Sequence, residues 1–267
     1  ANDFSGITDV NLINAFSKKE FENSPLNRVL KQAVPGKDWA LGNGHEIEFN
    51  YQTNIEGEVK LYEVETTKNT NDTRYISVLS GGDVSYQAGE LYKTIIRDEN
   101  HDGTTTKLHT TEEFKNKLGQ VVLKRTYALV NSQAEAHDSS YVYDDYGNLT
   151  FVLPPKSDAN TSLPSLQIID DLCYQYVYDV RNRLVEKKIP GKGKEYVIYD
   201  ALDRPVLIQD ANLRANDKWL FTKYDALGRV VYTGIYIHAT RLNQPEMQLH
   251  FTTVNNEASK YYEEKLS

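Results

Sequence analysis

The stretch Lys223–Tyr236, KYDALGRVVYTGIY, constrains this chain most. One apolar run ends at Tyr224, the chain turns through Asp225, Ala226, Leu227 and Gly228, and a second run opens at Arg229. Asp at the first and Gly at the fourth position suit a type I turn, and the Asp side chain accepts from amides just after it. Gly supplies a left-handed residue, which closes a hairpin with a bulge.

The same pattern recurs. Tyr143-Asp144, Tyr178-Asp179 and Tyr199-Asp200 open equivalent turns, whose fourth positions are Gly147, Asn182 and Asp203. Gly, Asn and Asp enter the left-handed region most cheaply, so the variation stays within one physical requirement. Fainter copies stand at Leu118-Gly119-Gln120-Val121 and Leu26-Asn27-Arg28-Val29. From Asp144 to Asp179, Asp200 and Asp225 the steps are 35, 21 and 25 residues. That short, variable β period predicts stacked hairpins with insertions in loops.

Tyr-Asp followed by a Gly-Arg pair and an aliphatic residue resembles the YD repeat of the bacterial RHS family and of animal teneurins. Only the copy at Tyr224 is complete; that at Tyr199 lacks the Gly and that at Tyr143 lacks the Arg. FENSPLNRVLKQAVPG, with KNKLGQVVLKR, is similar to an N-terminal module of unknown function that precedes such repeats in large bacterial surface proteins. The resemblance implies a structural and interaction segment of a surface or secreted bacterial protein. There the repeats form a β shell that encloses a toxin domain or presents a binding surface, with downstream parts of the same polypeptide as partners.

Apolar content of 39% is low for one thick core, while 19 tyrosines supply amphipathic rings. Such a composition suits a sheet with one packed and one wet face. The expected fold is all-β, an elongated, curved antiparallel sheet of repeat hairpins with little helix and an exposed edge strand near the C-terminal part. Two domains are expected, a β module over residues 1–135 and a repeat segment over 136–267, parted in the polar, turn-like stretch Asn131–Ser140.

In detail, residues 1 to about 20 read as loosely structured and Pro25–Gln32 as one helical turn. Strands are expected at His45–Tyr51 with Val59–Val64 as its partner, at Tyr75–Leu79 and Leu91–Arg97 with Gly81-Gly82 between them, and at Thr104–Thr110. A long strand follows at Val121–Val130, and then strands flank each Tyr-Asp turn: Tyr141–Tyr143, Leu149–Leu153, Tyr174–Tyr178, Leu184–Ile189, Tyr196–Tyr199, Val206–Gln209, Leu220–Tyr224 and Val230–Ile237. Pro154–Pro164 is too proline-rich for a sheet interior, and Asn256–Leu266 has helical composition. With no initiator Met at Ala1, the chain reads as a piece of a longer protein.

Net charge is −8 and basic residues are not clustered, which argues against nucleic acid. No apolar run approaches the about 20 residues that span a bilayer. The single Cys173 excludes an internal disulfide and a cysteine-based zinc site. Neither H-E-x-x-H nor G-x-S-x-G is present, and Gly191-Lys192-Gly193-Lys194 precedes a strand, not the helix a phosphate loop needs. Asp98, Asn100, Asp102 and Gly103 form the opening half of a calcium loop, but His109 stands where an EF-hand needs Glu. The stretch reads as a solvated hairpin tip, with calcium as its alternative.

The pairs Asp179–Arg183, Asp200–Arg204 and Asp225–Arg229 read as scaffold, because an active site is built once; as exposed ion pairs each is worth roughly 0 to 1 kcal/mol. No enzyme activity and no cofactor are expected; a hydrolase has only the absence of a disproof in its favour. The rows Tyr141/Tyr143 and Tyr174/Tyr176/Tyr178 each share a strand face. Packed, they form a structural ladder; left open, they stack on sugar rings. A carbohydrate-binding module is therefore the alternative function.

Overall fold

The computed structural model describes residues 14–102, 106–238, 240 and 242–257, with side chains as far as Thr253. The first strands are β1 (Lys18–Phe21), β2 (Val29–Ala33), β3 (Ile47–Thr53), β4 (Lys60–Lys68), β5 (Tyr75–Ser85) and β6 (Tyr92–Arg97). Then come β7 (Thr110–Lys115), β8 (Val121–Val130), β9 (Gln133–Tyr143) and β10 (Leu149–Leu153). The repeat hairpins follow: β11 (Tyr174–Tyr178), β12 (Leu184–Lys188), β13 (Glu195–Tyr199), β14 (Pro205–Gln209), β15 (Lys218–Tyr224) and β16 (Val230–Ile237). Helices are few: α1 (Leu166–Leu172), α2 (Ala211–Ala215) and α3 (Gln244–Glu257).

The fold is all-β. Fourteen strands hydrogen-bond in the order β1-β2-β3-β6 and then consecutively to β16, while β4 and β5 pair separately. The ladders with defined registers are antiparallel, as short hairpin connections require. Near-sequential order follows from the sequence, since each Asp turn returns the chain beside its own strand. β16 ends the order and is mostly exposed, the expected edge near the C-terminal part.

The chain forms two compact units. One comprises residues to Leu61 with Gly82–Ser140 and Ala159–Ser162; the other comprises Tyr62–Gly81, Tyr141–Asp158 and the chain from Leu163. The first centres on Val59, Leu91, Phe114, Val122 and Leu123. Asn54 is buried beside them: its Oδ1 accepts from the Leu91 amide at 2.8 Å and its Nδ2 donates to the Gln87 carbonyl at 2.8 Å. The second centres on Ile198, Val206, Leu207, Trp219 and Met247. Met247 is the only methionine of the chain and brings α3 onto the sheet. Gln244 and Gln248 of α3 donate to the Val197 and Tyr199 carbonyls at 3.0 and 2.8 Å.

Several expectations are corrected. Pro25–Gln32 is not a helical turn: Asn27 has φ 51° and β2 begins at Val29, with β1 paired to it. β3 pairs with β2 and β6, not with the strand at Val59–Val64, which belongs to β4 and pairs with β5. Gly81-Gly82 lies inside β5 at φ 89° and 86°, where positive φ bends a strand without ending it. Of the strand expected at Thr104–Thr110, residues 104 and 105 lie outside the described residues; the observed strand begins only at Thr110, after His109 at φ 58°. Asn131–Ser140 is not turn-like beyond its first two residues. Asn131 and Ser132 reverse the chain at φ 49° and 65°, and β9 then pairs with β8 from Gln133 to Ser140. Polar alternation in a long two-stranded ribbon looks like a loop when pairing partners are unknown. α1 and α2 were unforeseen: with seven and five residues they rest on their caps, Ser165 and Asp210. Residues 1–13 and 258–267 lie outside the described residues; of the expected helical stretch Asn256–Leu266 only 256–257 are described, at the end of α3, which begins at Gln244 and was otherwise unforeseen.

The turn glycines set a stability prediction. Gly228 has φ 76° and a Cβ there would touch nothing within 4 Å, so the penalty of a side chain is backbone alone. Gly228→Ala should cost about 1–2 kcal/mol in urea unfolding, and Gly228→Asn markedly less, because Asn182 holds the equivalent place. Equal costs for the two variants would contradict the left-handed assignment.

Candidate functional site

The repeated turns form one recurring device. In each, the Asp amide donates to the carbonyl four residues on: Asp144 to Asn148, Asp179 to Arg183, Asp200 to Arg204 and Asp225 to Arg229, at 2.9 to 3.0 Å. The fourth residue donates back to the Asp carbonyl at 2.8 to 3.2 Å, with φ 83° at Gly147, 57° at Asn182, 62° at Asp203 and 76° at Gly228. The register slips at Tyr178, Tyr199 and Tyr224, which places a bulge beside each of these turns.

The Asp carboxylate organises the loop. Asp179 Oδ1 accepts from the Arg181 and Arg183 amides at 2.9 and 3.0 Å, and Oδ2 accepts from Arg183 Nε and Nη2 at 2.8 and 2.6 Å. Asp200 and Asp225 repeat this with Arg204 and Arg229. In the copy without Arg, the Asn148 side-chain amide donates to Asp144 Oδ2 at 3.0 Å and takes the same role. The faint copy inverts the polarity: Asn116 Oδ1 accepts from the Leu118 and Gln120 amides, while its Nδ2 donates to Gln120 Oε1 at 2.7 Å. At the first copy Glu22 is the acceptor, held well down to about 2 chiefly by its hydrogen bond from Arg28.

Two of these pairs are not the exposed ion pairs expected. Asp179 and Asp200 are buried, and Arg183 and Arg204 keep 15% and 17% of their side-chain surface. A buried carboxylate survives only with its lone pairs filled, and the turn fills them. In the third pair Arg229 fits the exposed description at 73%, while Asp225 is half-buried at 17%.

The tyrosines before Asp179, Asp200 and Asp225 serve the preceding repeat. Tyr178 donates its hydroxyl to the Leu149 carbonyl at 3.0 Å, Tyr199 to Leu184 at 2.9 Å and Tyr224 to Pro205 at 2.8 Å. The acceptor in every case is the residue just after the Arg or Asn of the turn before. Arg183 lies over the Tyr199 ring and Arg204 over the Tyr224 ring, each 4.7 Å from the centroid. The same interlock occurs in the first unit: Tyr51 donates to the Val29 carbonyl at 2.9 Å, with Arg28 4.4 Å over its ring. Burial pushes the Tyr199 and Tyr224 hydroxyls up from their ordinary range, and Tyr178 to about 12.

Two further groups escaped the sequence. The loop between β4 and β5 clasps a repeat turn: Val180 donates its amide to the Thr73 carbonyl at 2.8 Å, the backbone of Arg74 forms an isolated antiparallel bridge with that of Asp179, and Tyr75 stacks on Tyr146 at 4.9 Å. In the first unit Lys93 lies 2.5 Å from Glu58 and 3.2 Å from Glu112, Lys107 lies 3.2 Å from Glu112, and Arg125 lies 2.7 Å from Asp138. Burial would raise the Glu112 carboxyl, but Lys93 and Lys107 outweigh it and hold it down. Three cations and three carboxylates balance, so the cluster braces four strands, β6 to β9. Charge alternation on β6, β7 and β8 was its one sequence signal.

Asp98 Oδ1 accepts from the Asn100 amide at 2.9 Å, and its Oδ2 lies 3.4 Å from His109 Nδ1. Asp102 is exposed, and Gly103 lies outside the described residues. Among the described residues no three His, Cys, Asp or Glu side chains converge as a metal group. No helix of the described residues is long and apolar enough to cross a membrane.

Residues 2–53 match a family described as a domain of unknown function, DUF6443, which includes the segment Phe21–Gly36. No curated protein matches the chain. Among solved structures, a crystal structure of TcdB2-TccC3-TEV is similar at 14% identity and a TM-score of 0.41, over 85% of this chain and 11% of that one. A TcdB2-TccC3 structure without the hypervariable C-terminal region gives 14% and 0.41 over 85% and 13%. A Photorhabdus luminescens Tc holotoxin pore gives 15% and 0.42 over 84% and 10%. This chain thus spans 10–13% of the length of these structures' chains.

Two outcomes test the interlock. Tyr199→Phe should cost about 1 kcal/mol by leaving the Leu184 carbonyl without its donor, and Arg183→Lys more than that, since an ammonium cannot span both the Asp179 carboxylate and the ring. Urea unfolding that leaves both variants unchanged would refute the arrangement. The raised Tyr178 pKa also has a sign. The protonated hydroxyl is favoured in the folded state, so its contribution is complete below about pH 10 and is lost as pH rises toward about 12. Urea midpoints measured across that window should fall less steeply in Tyr178→Phe than in the parent.

Proposed function

We propose that this chain is a structural segment of a larger bacterial RHS/YD-repeat protein, surface-exposed or secreted, whose strands form part of a β shell. The wall encloses a toxin domain or presents a binding surface, and its partners are downstream parts of the same polypeptide. The observation that carries this reading is the interlock. The same hydroxyl-to-carbonyl bond recurs four times along the strand order, at Val29, Leu149, Leu184 and Pro205. A device that couples each hairpin only to its neighbour builds an extensible wall, and nothing in it is singular as an active site must be.

The chain has no catalytic role in this reading. Its best-placed charged groups, the turn Asp and Arg, spend their hydrogen-bonding capacity on each other and on turn amides. A glycan platform is the weaker alternative. The rings of Tyr199 and Tyr224 are already covered by guanidinium groups, and Tyr174, Tyr176 and Tyr178 are half-buried.

The test uses the full-length polypeptide that carries this segment. Electron cryomicroscopy should show these strands continuing into a wall around the downstream region. Protease should spare that region in the parent and cleave it faster in Arg204→Ala/Tyr224→Phe. Equal cleavage in both, with no enclosing wall, would overturn the shell. Turnover of an ester, peptide or glycoside by the purified chain, lost with one turn Asp, would overturn the non-catalytic assignment.

A further inference from the structure

β16 is the last strand of its sheet among the described residues, and the interlock of its turn has no second half among them. Arg229 reaches Asp225 as its counterparts reach their own carboxylates, at 2.7 Å. No ring lies over it and no hydroxyl meets the Val230 carbonyl among the described residues. Arg229 keeps 73% of its side-chain surface, against 15% for Arg183 and 17% for Arg204. The strand beyond it exposes Val230 and Tyr232 on one face and Ile235 and Ile237 on the other, along a backbone edge that no strand of the described residues pairs. Charge is sparse there, so the edge lacks the usual protection against added strands.

The four hydroxyl-to-carbonyl contacts described above, three of them with a guanidinium over the ring, define what fits this edge. Carried along their ladders, the registers Lys31↔Glu48, Phe151↔Gln175, Glu186↔Tyr196 and Leu207↔Phe221 bring Tyr51 opposite Arg28, Tyr178 opposite Asn148, Tyr199 opposite Arg183 and Tyr224 opposite Arg204. In each, the tyrosine lies later in the chain than the turn it completes. A helix intervenes in two of the four, α1 before Tyr178 and α2 before Tyr224, and α3 follows β16 in the same manner.

We propose that the outer edge of β16 is the docking site for one further Tyr-Asp repeat hairpin of the same polypeptide, its tyrosine opposite Arg229 and hydrogen-bonded to the Val230 carbonyl. This rests on the shell-segment reading and adds to it the atoms, the register and the required residue. The ring desolvates the guanidinium, which strengthens its attraction to the π face. The hydroxyl satisfies a carbonyl at the strand edge, and the backbone ladder supplies the remaining hydrogen bonds.

A second copy of the chain does not meet this requirement through β16. In a two-fold antiparallel pair the hydrogen-bonding alternation must read the same from both strands, so the numbers of facing residues sum to an even value. Arg229 opposite Tyr232 or Tyr236 gives 461 or 465, both odd. Neither tyrosine of β16 can take the place in such a dimer.

The test uses a labelled peptide of the sequence Glu195–Gln209, cyclised so that its two strands are held paired, titrated with the complete 267-residue chain. Fluorescence anisotropy should show saturable binding. Tyr199→Phe in the peptide and Arg229→Ala in the protein should each weaken it by about tenfold. The two changes together should weaken it by clearly less than the product of the two, because both remove the same contact. Arg229→Ala should leave the melting temperature unchanged, which separates a lost contact from lost folding. No binding at millimolar peptide, binding indifferent to both substitutions, or dimerisation of the chain through β16 that excludes the peptide would overturn the proposal. Docking in the absence of an enclosing wall in the full-length protein would leave this inference standing and remove only the shell.

Discussion

The structure depends on a carboxylate that closes a five-residue loop from within. An Asp at the first turn position accepts two amides on one oxygen and a guanidinium on the other, so one side chain fixes the turn, its bulge and the rotamer of the Arg. Everything outward follows from that rotamer. The Arg is held flat where the next strand arrives, and the ring of that strand's Tyr finds a preformed seat. Where Asn148 replaces the Arg, the carboxylate is still satisfied and the Tyr178 hydroxyl still bonds, but no guanidinium covers its ring. The loop and the seat are therefore separable, which explains why the motif tolerates partial copies.

Cohesion is local. Each unit has a modest apolar centre, Phe114 with Leu91 in one and Trp219 with Met247 in the other, and the intervening strands rely on neighbours. This is how a sheet rich in tyrosine and poor in aliphatics holds together. Rings cover their faces with guanidinium groups while their hydroxyls find carbonyls, so no thick hydrophobic layer is needed. The clasp of Thr73 and Arg74 on the Asp179 turn and the charge cluster at Glu112 add bracing where two-stranded contacts alone are marginal.

The legible part of the sequence was the part whose causes are local. Turn positions follow from which residues take positive φ, and β8, β10, β11 and β16 carry the bounds that alternation between turns suggests. Non-local causes were not legible. β9 looks like a loop because its polar residues face a partner ribbon; β4 looks like the partner of β3 because adjacency in sequence is the default. Gly81-Gly82 bends a strand that it was expected to interrupt. At the site, the Tyr, Asp and Arg were visible as a recurring set, but their division between repeats was not. Spacing between Tyr199 and Arg183 varies with the insertion between hairpins, so no fixed period announces that they touch.

That division gives the sheet a direction. The acceptor carbonyl of each contact, and the guanidinium where there is one, lie earlier in the chain than the tyrosine that meets them, at Val29 and Tyr51 as at Pro205 and Tyr224. A ribosome therefore always finishes the receiving edge before it makes the residue that lands on it. Assembly can proceed from the first hairpin onward as fast as translation delivers strands, with each new one captured by an edge already set, and in a stalled chain the growing end of the sheet is left as an open edge.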